Sequence, residues 1–165
     1  PEEGRRYLER VIASDPSSAM ADAARAADRL VVEATWSLWH PRTQRARALL
    51  VSDAIGPVHT VHAGFRFRGV QDGNYRLDPL HGGGALYDLG PYAVGAAMWA
   101  VPGADVAVEQ CDVRRGPQGV DLSTDAVLRV GAARAHVSVS IDDDYGECWI
   151  LDVFSPPRPD LPETG

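Results

Sequence analysis

The residues best suited to chemistry fall between Asn74 and Tyr92, where the chain reads Asn-Tyr-Arg-Leu-Asp-Pro-Leu-His-Gly-Gly-Gly-Ala-Leu-Tyr-Asp-Leu-Gly-Pro-Tyr. Gly82, Gly83 and Gly84 open a helix expected from Ala85 to about Val101. Glycines at that place let backbone approach a ligand closely, and the first amides of a helix favour a polar or anionic group. Asp88 and Tyr92 are four apart and therefore share a face one turn into the helix. A carboxylate beside a phenol is suited to binding and protonating a sugar-like carbonyl or hydroxyl. The same spacing is also met by a flexible turn, a helix-start carboxylate and a core tyrosine. The glycines are not a dinucleotide fingerprint. Tyr87 stands where the third glycine belongs, and a loop rather than a strand comes before them.

Other candidates carry less. His59 and His62 are three apart in a strand, point to opposite faces and cannot share a metal. His40 before Pro41 reads as a loop donor, and His136 as a residue on a polar strand face. With no His or Cys pair at ligand spacing, no metal site is expected. Asp142-Asp143-Asp144 reads as a solvated turn. Trp36, Trp39 and Tyr75 are either walls of a sugar pocket or core aromatics.

The 165 residues carry a net charge of −7, with 45% hydrophobic and 24% charged residues, which suits one globular domain. All sixteen basic residues are Arg, so a lysine Schiff base, a Walker lysine and a lysine general acid are excluded within this polypeptide. An acidic balance without a basic cluster argues against nucleic acid or an anionic membrane as partner. The longest apolar run, Ala93 to Val101 with a glycine inside it, is too short to span a bilayer. No signal-peptide pattern opens the chain. Cys111 and Cys148 read as two buried or half-buried thiols, which fits a cytoplasmic setting.

The elements that position these residues follow from periodicity. The first thirty residues read as helical, with a break at Asp15-Pro16-Ser17-Ser18, and Leu30-Val31-Val32 as a short buried strand. An aromatic loop from Trp36 to Pro41 precedes a helix from about Arg42 to Val51. Ala46, Leu49 and Leu50 are expected to face inward there, with Arg42, Arg45 and Arg47 in water. From Val58 to Arg68 the period is two: Val61, Ala63, Phe65 and Phe67 lie on one face, His62, Gly64, Arg66 and Arg68 on the other. Pro91 predicts a kink in the helix that follows the glycines. Val106–Arg114, Thr124–Val130, Arg134–Asp142 and Glu147–Phe154 read as strands of an antiparallel meander. The fold class is α+β: a largely antiparallel open sheet with helices packed on one face. Residues 1–30 form a helical segment, 31–154 the domain proper, and 155–165 a Pro-rich tail.

Three blocks recur here in one order: Glu33-Ala34-x-Trp36-Ser37-x-Trp39-x-Pro41, Ile55-Gly56-x-Val58, and Arg76-x-Asp78-Pro79-x-x-Gly82-Gly83-Gly84-Ala85-Leu86-x-Asp88-x-Gly90-x-Tyr92. Together they resemble the C-terminal domain of the glucose–fructose oxidoreductase / inositol dehydrogenase / MocA family. Within it they are nearest the branch of dihydrodiol dehydrogenase, NADP-dependent xylose dehydrogenase and NDP-sugar ketoreductases. The resemblance implies NAD or NADP as cofactor, a sugar or cyclic polyol as substrate, and a homodimer through the open sheet. It makes Tyr92 the proton-transfer residue and Asp88 the group that orients substrate. It puts Arg76 and Asp78 on the loop into the pocket, with Gly83, Gly84 and Trp36 as further substrate contacts. Glu33 falls near the junction with the cofactor. The family's Rossmann half, with its glycine fingerprint and Glu-Lys-Pro motif, is missing from this chain. Leu38 stands where close relatives carry Arg. The alternative is a non-catalytic binding or oligomerisation module that retains the fold.

Overall fold

A computed structural model describes residues 19–29, 36–143 and 148–154. The helix expected before residue 19, the strand at Leu30–Val32, Glu33 and the tail from residue 155 lie outside the described residues. In chain order the elements are α1 (Ala19–Ala26), a 3-10 turn (Trp36–Trp39), α2 (Pro41–Val51) and β1 (Thr60–Arg66). Two further 3-10 turns follow (Tyr75–Leu77 and Pro79–His81), then α3 (Ala85–Ala100), β2 (Val106–Arg115), β3 (Asp121–Val130), β4 (Ala133–Ser140) and β5 (Cys148–Phe154). The five strands form one sheet in the order β2-β3-β4-β1-β5. Among the described strands the β1–β4 pair is parallel and the other pairs are antiparallel.

The α+β class and the mostly antiparallel sheet are as the sequence implies. The meander holds only for β2, β3 and β4. β5 does not lie beside β4, because β1 is inserted between them, parallel to one and antiparallel to the other. In register, His62 stands opposite His136 on β4 and Asp152 on β5.

One face of the sheet carries α3. Its buried residues are mostly small, Ala85, Ala93, Ala96, Ala97 and Ala100, so the helix lies close on the sheet. Leu86, Leu89 and Val94 fill the larger gaps against Val61, Leu128, Val137 and Val139. Each fully buried aliphatic of this size contributes about 1.5–3 kcal/mol. The alternation in β4 is observed, with Ala135, Val137 and Val139 buried and His136 exposed. α3 continues without interruption past Pro91.

Three details differ from the expected pattern. In α2 the buried residue is Thr43, while Ala46, Arg47, Leu49 and Leu50 are all half-buried and Leu50 packs against the core. His40 acts as a cap: its Nδ1 accepts the Arg42 amide at 3.2 Å at the start of α2. In the acidic turn after β4, Asp142 is exposed as expected, Asp143 is not, and Asp144 lies outside the described residues. Arg66 donates to Asp143 at 2.6 Å and Arg114 to Asp142 at 3.0 Å on the polar face of the sheet. On the same face the His62 and His136 rings stand 4.8 Å apart.

Candidate functional site

The segment before α3 is built by two side-chain caps. Asn74 Oδ1 accepts the Arg76 amide at 3.0 Å, and Asp78 Oδ1 accepts the Leu80 amide at 2.8 Å. Each starts a 3-10 turn. The glycines then fold the helix start back onto that segment. The Gly83 amide donates to the Asp78 carbonyl at 2.9 Å and the Gly84 amide to the Arg76 carbonyl at 2.8 Å. A β-carbon on residue 83 would lie 2.6–2.8 Å from the carbonyl oxygens of Tyr75, Arg76 and Asp78. Gly84 has φ +124° and would press a β-carbon into the Asp121 carboxylate. What requires glycine at both positions is therefore the chain's own packing.

The first turn of α3 already has its anion. Asp121, buried at the start of β3, accepts the Leu86 amide at 2.8 Å and the Thr124 hydroxyl at 2.9 Å through Oδ2. The polar group that sequence reasoning assigns to a ligand here is a protein side chain. It has no local sequence signal, since the cap comes from 35 residues downstream.

This anchoring brings Arg76 to Asp88. Arg76 Nε donates to Asp88 Oδ2 at 2.6 Å, with 28% and 19% of the two side chains exposed. Tyr75 donates its hydroxyl to Asp88 Oδ1 at 3.5 Å. The guanidinium lies over the Tyr75 ring at 4.7 Å and the Phe67 ring at 5.5 Å. Its hydrogen bond to Asp88 raises the Arg76 pKa further above its ordinary value.

One turn on, Tyr92 packs edge-on against Phe65 at 5.4 Å and lies 6.0 Å from the Trp36 ring. The spacing follows from element geometry: four helical residues advance about 6 Å, and two strand residues about 6.6 Å. Thus Phe67 underlies the Arg76–Asp88 pair while Phe65 underlies Tyr92. Among the described residues the Tyr92 hydroxyl has no hydrogen-bond partner. Trp36 is 54% exposed and Trp39 is 77% exposed, so neither is a core aromatic.

A matching family model covers residues 43–155 and describes the GFO/IDH/MocA C-terminal domain. The chain belongs to that family. As a GFO/IDH/MocA C-terminal domain it is 35% identical over 133 residues to D-xylose 1-dehydrogenase (NADP(+)) 2 of Haloferax volcanii, spanning 78% of this chain and 40% of that protein. KijD10, a 3-ketoreductase from Actinomadura kijaniata crystallised with NADP and TDP-benzene, is 27% identical with TM-score 0.67. That match covers 81% of this chain and 45% of KijD10. An inositol dehydrogenase homologue from Azotobacter vinelandii, complexed with NAD+, shares the fold with TM-score 0.71 at 19% identity, over 82% of this chain and 39% of that one. The chain thus spans less than half the length of each of these proteins.

The remaining expected residues separate. Asp78 does not join Asp88. Its Oδ2 pairs with His81 Nδ1 at 2.7 Å, and this bond, with the Leu80 amide, holds the Asp78 carboxyl below the usual range. Glu33 lies outside the described residues. A recess of about 430 Å³ beside the Tyr75–His81 segment is lined by Tyr75, Asp78, His81 and Gln118 among others. Cys111 is free and buried, and burial pushes its thiol up. Among the described residues no group of three or more His, Cys, Asp or Glu side chains is placed to hold a metal, and no helix is long and apolar enough to cross a membrane.

Proposed function

We propose that this domain forms the substrate side of an NAD(P)-dependent oxidoreductase acting at a CH–OH carbon of a sugar or cyclic polyol. One observation carries the reading: on one face of α3, a carboxylate fixed by Arg76 and Tyr75 stands a turn before a phenol whose hydroxyl lacks a partner among the described residues. In this reading Asp88 accepts hydrogen bonds from substrate hydroxyls and fixes the ring. Tyr92 exchanges a proton with the reacting oxygen, and Trp36 supplies a flat wall.

The described residues do not form a cradle for the dinucleotide. The amide-rich end of α3, where a pyrophosphate could sit, is closed by Asp121. NAD or NADP, whose contribution is hydride transfer, is therefore assigned to a nucleotide-binding half like those of the longer relatives. The test is turnover of NAD(P)H by the whole protein carrying this domain, with a panel of pentoses, hexoses and cyclitols. Oxidation of at least one is expected; none with either nucleotide would overturn the assignment.

A second reading, a binding or oligomerisation module without a reaction, is favoured by Leu38, which stands where close relatives carry Arg. It predicts sugar binding with no turnover in the same assay. The charged open face of the sheet is the surface we assign to a homodimer, and the free thiol of Cys111 accords with a cytoplasmic setting.

A further inference from the structure

The recess beside Tyr75–His81 adjoins the Asp88 site without belonging to it. Tyr75 is common to both: its hydroxyl reaches Asp88, and the residue also lines the recess. The volume, about 430 Å³, falls among small-molecule pockets, which run to about 300–1,000 Å³. Its lining combines the apolar residues Leu77 and Pro79 and the aromatic Tyr75 with the polar residues Asn74, Asp78, His81 and Gln118. Asn74 uses its oxygen to cap the turn at Arg76, which leaves its amide hydrogens to a ligand. That mixture suits a ring with hydroxyls on its edge and an apolar face.

The charge narrows the class. Besides the Tyr75 phenol, the ionisable groups among the described lining residues are Asp78 and His81, and they pair with each other at 2.7 Å. No arginine lines it, and Arg76 is turned to Asp88. A diphosphate calls for cationic donors; here it would meet the Asp78 carboxylate and only the neutral amides of Asn74 and Gln118, which suit hydroxyls better than phosphate charge.

We propose that the recess is a second sugar subsite and that the substrate is a neutral glycoside. Its reacting ring lies at Asp88 and Tyr92, and its neighbouring ring lies on Tyr75 and Pro79. This rests on the function proposed above and goes further by naming the substrate class.

The test follows backbone amide shifts of the isotope-labelled whole protein carrying this domain, with NADP bound, on titration with glucose, a set of neutral disaccharides (maltose, cellobiose, trehalose) and UDP-glucose. At least one disaccharide is expected to shift amides of Asn74–His81 and Gln118 together with those of Asp88–Tyr92, and to bind more tightly than glucose. Gln118→Ala, in an exposed turn, is expected to weaken the disaccharide about tenfold and leave glucose unchanged, the loss of about 1.4 kcal/mol. If glucose shifts the Asp88–Tyr92 amides but no disaccharide binds better or reaches the recess, the subsite is overturned and the proposed function stands. Tighter binding of UDP-glucose in the recess would overturn the neutral-glycoside assignment. Silence at Asp88–Tyr92 with every sugar would overturn both.

Discussion

Gly84 and Asp121 occupy a space that only one of them can fill: the Asp121 carboxylate sits where a side chain on residue 84 would begin. The carboxylate in turn holds the Leu86 amide and the Thr124 hydroxyl. Gly84→Ala combines a left-handed φ with displacement of that cap, and is expected to lower stability by about 2–4 kcal/mol. Asp121→Ala leaves the buried amide and hydroxyl without their acceptor and is expected to cost about 2 kcal/mol. Urea unfolding of the two single variants and the double variant checks this. Strict additivity would mean that the two residues act separately.

The Arg76–Asp88 pair is half-sheltered, so its mutual stabilisation is set at about 1 kcal/mol after allowance for solvent. A double-mutant cycle with Arg76→Met and Asp88→Asn is expected to return that coupling. In the same variants, sugar binding is expected to fall by more than the stability effect explains, because Asp88 is the group assigned to substrate hydroxyls. Unchanged binding in Asp88→Asn would remove it from that role.

Tyr92 offers a cleaner separation of packing from chemistry. Its ring rests on Phe65 and faces Trp36, and its hydroxyl binds nothing among the described residues. Tyr92→Phe is therefore expected to leave stability within about 0.5 kcal/mol of the parent. Turnover by the whole protein is expected to fall about a hundredfold or more. A variant that unfolds early yet turns over normally would reverse both assignments.

The Asp78 carboxyl is held low, chiefly by His81 and then by the Leu80 amide. A carboxyl whose folded value lies below its unfolded one stabilises the fold above the unfolded value, and that contribution is lost as pH falls through the folded one. Titration of the Asp78 carboxyl carbon by NMR is expected to show a midpoint below the ordinary aspartate value of 3.8. In His81→Ala the midpoint is expected to move upward. No movement would mean that the 2.7 Å contact does not form in solution.

The periodic parts of this domain are legible in its sequence. Val61, Ala63, Ala135, Val137 and Val139 alternate with polar residues because one face of the sheet must be dry, and that requirement writes itself into each strand separately. The glycine–Asp–Tyr block is legible as a candidate site because helical spacing alone puts Asp88 and Tyr92 on one face. What cannot be read is set by partners distant in sequence. Nothing near residue 86 announces that Asp121 will cap it, and nothing in β4 announces that β1 will take the place beside it before β5 does. Thr43 escapes a reading by hydrophobicity because a hydroxyl on an inward stripe looks like an interruption. Asp142 and Asp143 look solvated because their arginines, Arg114 and Arg66, come from other strands.

The insertion of β1 between β4 and β5 has a consequence for how the chain is assembled. The second-last place in the sheet is filled by the earliest of the described strands, so both of its neighbours, β4 and β5, lie roughly seventy to ninety positions further along the chain. A ribosome releasing this domain must finish nearly all of it before the sheet can close. A nascent chain halted near residue 143 would present the bare edge of β1 to whatever strand came next.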